Sequence, residues 1–95
     1  MSMKDAYIEK LKAQLDEWNA EVDKLKAKAE NAQADAKIEA YKQIDELRKQ
    51  QIEAQQKVNE LQQASENAWE DLKAGIESSW DSMEKAIKSA ASRFG

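Results

Sequence analysis

The chain has 95 residues, with 15 basic and 19 acidic side chains, and it contains no Pro, Cys, His or Thr. Without Cys and His there is no zinc site, no disulfide scaffold, no thiol chemistry and no imidazole base. Without Pro or Thr, and with only two Val, a sheet with tight turns is disfavoured, while abundant Ala, Glu, Lys, Gln and Leu suit long helices.

The expected fold class is therefore all-α, with long amphipathic helices forming a coiled coil or an elongated helical bundle and no β-structure. Residues Met1 to Lys10 hold no apolar stretch resembling a signal-peptide core, so the expected location is cytoplasmic. Apolar residues nowhere run for the roughly 18 positions of a membrane span. The net charge is −4, and basic residues are interleaved with acids, so no cationic footprint for nucleic acid is present. Even the densest basic run, Lys24, Lys26 and Lys28, is flanked by Glu21, Asp23 and Glu30 and reads as a solvated face.

From Ile8 onward the apolar spacing alternates three and four: Ile8, Leu11, Leu15, Trp18, Val22 and Leu25, fading into Ala29, Ala32 and Ala36. That is a heptad seam, and it predicts a helix from about residue 4 with one face that needs a partner. Glu9 with Lys12, and Glu21 with Lys24, are spaced for ion pairs along the wet faces. A second seam follows at Ile44, Leu47, Gln51, Ala54, Val58 and Leu61, one residue out of step with the first. The slip fits either a local phase correction or a turn. Strong helix formers, with no Gly or Pro nearby, favour one continuous helix; an antiparallel hairpin closing near Asn31 is the alternative. Residues 43–63 carry seven Gln, and Gln51 lies on the seam itself. A polar seam residue can fix register, or simply mark a weak stretch of helix.

A further boundary is expected at 64–67, capped by Asn67 or by Ser65. Beyond it Trp69, Leu72, Ile76, Trp80, Met83, Ile87, Ala90 and Phe94 form another stripe, with many members eleven residues apart. Eleven residues in three turns predicts a straight or slightly right-handed helix. Asp81 with Lys85, and Glu84 with Lys88, are well-oriented pairs on its other face. Gly75 lies inside this helix, where it lowers helix stability by about 1 kcal/mol relative to Ala. The expected organisation is thus a heptad-patterned region 1–64, with a possible turn near 31, and a C-terminal amphipathic helix in 65–95. The helical stretches fall near 4–30, 33–64 and 67–93.

Each stripe is too apolar to remain wet, since burying one Trp is worth about 4–6 kcal/mol at about 25 cal/mol per Å². The expected interface comprises Ile8, Leu11, Leu15, Trp18, Val22, Leu25, Ile44, Leu47, Val58 and Leu61. The C-terminal apolar face comprises Trp69, Leu72, Ile76, Trp80, Met83, Ile87 and Phe94. The expected cover is a second copy of the chain, as a dimer or higher homo-oligomer. A membrane surface under the C-terminal helix is the alternative, although residues 66–94 hold six acids against four bases. A compact three-helix bundle binding a protein partner is a third reading.

Carboxylates four apart occur at Glu17 and Glu21, Asp35 and Glu39, and Glu77 and Asp81, all among lysines on polar faces. Ser78, Ser79 and Ser82 have no His to activate them, and there is no glycine-rich phosphate loop. The expectation is no catalytic residue, no metal ligand, no cofactor and no small-molecule substrate.

Two tryptophan-bearing blocks, with the residues near them, also carry a resemblance. Tyr7, the run Lys10-Leu11-Lys12-Ala13-Gln14-Leu15-Asp16-Glu17-Trp18, and Ala68-Trp69-Glu70-Asp71-Leu72-Lys73-Ala74-Gly75 with Trp80-Asp81 and Ser92-Arg93-Phe94 resemble short bacterial coiled-coil domain-containing proteins. The resemblance implies a cytoplasmic bacterial helical protein, some of whose relatives are associated with stress responses and none with an established reaction, so it carries over no active site.

Overall fold

The computed structural model describes residues 2–94, the side chain of Phe94 excepted, and the fold is all-α. Helix α1 spans Met3–Glu30, α2 spans Ala34–Gln63 and α3 spans Trp69–Phe94. The chain does not run as one helix through residues 31–36. It turns back at Asn31, the alternative course left open by the phase slip.

The turn needs neither Gly nor Pro because no described residue takes a positive φ. Asn31 ends α1 at φ −97° and ψ 0°, and Gln33 opens α2 from an extended conformation at φ −66° and ψ 158°. The Asn31 side-chain amide donates to the Ala27 carbonyl at 3.4 Å, occupying one of the carbonyls that the ended helix leaves free. Folding back at this point lets the two heptad seams cover each other, which a single rod of about 90 Å could not do for itself.

At the second turn Ser65, not Asn67, is the capping residue: its Oγ accepts from the Ala68 backbone N–H at 3.2 Å. The end of α2 has no basic residue of its own in the last turn. Lys4, from the start of α1, supplies one, donating to the carbonyls of Ala64 at 2.7 Å and Gln62 at 3.3 Å. A cation there complements the negative end of the α2 dipole and ties the first turn of α1 to the last turn of α2.

The helices run up, down and up. Asp23 pairs with Arg48, and Lys4 reaches Ala64, so α1 and α2 are antiparallel. Lys57 bonds Ser79 and Arg93 bonds Gln43, so α2 and α3 are antiparallel as well. The three pack side by side in a body of 51 × 20 × 18 Å around one apolar core. Leu47, Leu61, Val22 and Val58 are its largest fully enclosed side chains. No described helix is long and apolar enough to cross a membrane.

Beyond its chain neighbours and the nearby backbone of its own helix, Gly75 has no heavy atom within 4 Å of where a Cβ would stand, so it serves no close approach. Two substitutions should therefore move urea stability in opposite directions. Leu61→Ala empties a fully buried site and should lower stability by about 2–5 kcal/mol. Gly75→Ala should raise it by about 0.5–1 kcal/mol.

Candidate interaction surfaces

The expected interface residues meet inside the single chain. Ile8, Leu11, Trp18, Val22, Leu25, Ile44, Leu47, Val58 and Leu61 are all buried in the common core, and Leu15 is half-buried at its edge. Of the C-terminal face, Trp69, Ile76, Trp80, Met83 and Ile87 join the same core. Leu72 does not: it is 38% exposed, beside Lys57, Glu60 and Gly75. The Phe94 side chain lies outside the described residues.

Between α1 and α3 the contact is aromatic. Trp18 packs on Trp80 with ring centroids 5.5 Å apart at 47°, and Tyr7 packs on Trp69 at 5.9 Å and 43°. Tilted pairs at these separations add to plain area burial because ring edges meet ring faces. Lys73 lies over both Tyr7 and Trp69, at 5.3 and 5.8 Å, with Glu77 at 4.0 Å from its ammonium. Tyr7 is a core contact that the seam pattern alone does not single out. The signal is a spacing: Tyr7 and Trp18 are eleven apart, as are Trp69 and Trp80, so two parallel helices place both pairs in register.

The polar faces behave as solvated surface. Glu21 pairs with Lys24, Asp81 with Lys85 and Glu84 with Lys88, all with well-exposed side chains, so each contributes little to stability. Among the described residues no group of three or more His, Cys, Asp or Glu is arranged to hold a metal ion. Among the described residues, two buried side-chain polar atoms, Trp80 Nε1 and Gln50 Oε1, have no hydrogen-bond partner.

Of the exposed large apolar side chains among the described residues, Met3 on α1 and Leu72 on α3 stand singly, and the other three share α2. Ile38 is 57% exposed, Tyr41 36% and Ile52 60%, and all three lie on the side of the helix away from Leu47 and Val58. Together with Asp45, Arg48 and Gln55 they recur at spacings of three and four, a second heptad register on the back of α2. Its charged members hide it from a simple apolar scan. Beside Ile52 the stripe borders a groove of about 330 Å³ between α1 and α2, walled by Leu15, Asn19 and Arg48. Gln51, the polar seam residue, also lines this groove, on the flank where the α1–α2 seam opens to solvent.

No family model matches the chain, and neither does any curated protein or solved structure.

Burial, with a smaller push from the Glu77 carboxylate, raises the Tyr7 phenol above its ordinary pKa. Folding therefore favours the neutral phenol. The resulting stability is fully present below about pH 10, the unfolded value, and is lost as pH rises through the higher folded value. Tyr7→Phe cannot ionise, so its stability should fall less steeply than the wild type's between pH 9 and 11 in urea titrations.

Proposed function

We propose that this protein is a non-enzymatic helix–helix association module whose contact surface is the outer face of α2. One observation carries the reading: with the tryptophans and both original seams covered within the chain, Ile38, Tyr41 and Ile52 form the remaining heptad-spaced apolar row. Helices recognise one another through rows of this kind, with anchors at heptad spacing inserted between the side chains of a facing helix. The absence of His and Cys from the sequence supports a role without catalysis.

In this reading the interface residues named from the sequence build the scaffold, and a separate row on its back makes the association. Scaffolding by self-association and capture of a different helical protein both use that row. A cytoplasmic setting and a stress-related role come with the resemblance to bacterial coiled-coil proteins and belong to the same proposal. Lipid binding through α3 is less favoured, because Trp69, Ile76 and Trp80 would have to leave the core to reach a bilayer.

Photo-crosslinking in cells producing the chain tests the reading. A photoreactive residue at position 38 or 52 should give a discrete adduct, while one at the exposed position 85 of α3 should give none. Equal labelling at all three positions, or none at 38 and 52, would overturn it.

A further inference from the structure

We infer that the occupant of the α2 face is a second copy of the same chain, its α2 lying antiparallel across the first. This inference rests on the association reading and adds the partner and its orientation. The order of residues along the stripe is self-complementary only when one copy is reversed. Tyr41 then meets Ile52 of the second copy, and Ile52 meets its Tyr41, because antiparallel helices interleave alternate heptad positions. Each tyrosine ring is directed toward the groove beside Ile52, between Leu15, Asn19 and Arg48.

Charge selects the direction. Asp45 is exposed and forms no ion pair within the described chain, and neither does Lys49. In the reversed pair, Asp45 of each copy falls against Arg48 and Lys49 of the other. Arg48 already holds Asp23 at 3.1 Å, but a guanidinium has five N–H donors and can serve both carboxylates. A parallel pair would set Asp45 on Asp45 and Arg48 on Arg48, like charges in consecutive layers. Reversal also brings Lys42 toward Lys49 of the other copy, but at the solvent rim, where salt screens the repulsion.

The stripe from Ile38 to Gln55 is about 26 Å long, so one helix against another falls short of the roughly 1,200 Å² of a standard interface. The dimer is accordingly weak and concentration-dependent.

The chain has no cysteine of its own, so engineered thiols report without background. Tyr41→Cys and Ile52→Cys, prepared as separate full-length variants and oxidised gently at high concentration, test the geometry. Mixed together they should yield a disulfide-linked heterodimer, and each alone should stay largely uncrosslinked. Crosslinking of each variant to itself, with none between them, would establish a parallel pair and overturn the inference. No crosslink in any sample, with the wild type sedimenting as a monomer at every concentration, would also overturn it. The association reading would survive that second result if the cellular adducts at positions 38 and 52 contain a different protein, and fail with it if no adduct forms. Asp45→Arg and Arg48→Asp add a readout that does not depend on thiols. Each alone should weaken the wild-type dimer at least several-fold and a mixture of the two should restore it; a mixture that pairs no more tightly than either variant alone would overturn the charge contact.

Discussion

The contact of Trp18 with Trp80, and of Tyr7 with Trp69, fixes how the three helices are assembled. Both pairs join α1 to α3, which are the first and last elements of the chain. They can meet only if α2 returns the chain through the full length of the body. The two turns, the antiparallel sense of α2 and the shared core all follow from that requirement. The driving force is large for so small a chain, because each buried Trp removes about 150–250 Å² from water. Only 23 of its residues are strongly apolar, so leaving any stripe uncovered would forfeit a substantial part of the core.

Polar contacts align this packing more than they drive it. Lys4 ties the start of α1 to the end of α2, and Asp23 with Arg48 pins the middle of the same hairpin. Lys57 with Ser79 and Arg93 with Gln43 do the same between α2 and α3. Most are exposed and individually weak, but they mark one register across the antiparallel surfaces. Lys73, set over Tyr7 and Trp69, closes the aromatic contact from the α3 side.

Much of this was legible from periodicity. Ile8 to Leu25, and Ile44 to Leu61, announce helices with one apolar face because their spacing alternates three and four. The turn at Asn31 is legible only as the second of two readings, since the absence of Gly and Pro there favours a continuous helix. Asn31 and Gln33 instead turn the chain through ordinary backbone angles, and the gain comes from covering two seams, a tertiary effect that local propensity does not register. Leu72 sits on the predicted stripe yet stays exposed, because the side chains that reach it from α2 are the charged Lys57 and Glu60. The row on the back of α2 is hidden in the sequence for a related reason. Asp45 and Arg48 interrupt it, and such positions read as solvated until the core is known to lie elsewhere.

The shared core exists only if the chain folds back on itself, and small-angle scattering at high dilution tests that directly. The three-helix packing predicts a longest dimension close to its 51 Å axis. Antiparallel pairing through α2 would thicken the particle with little added length, so the test holds in either state of association. A longest dimension near the roughly 90 Å of an unbroken helix through residues 4–64 would contradict it.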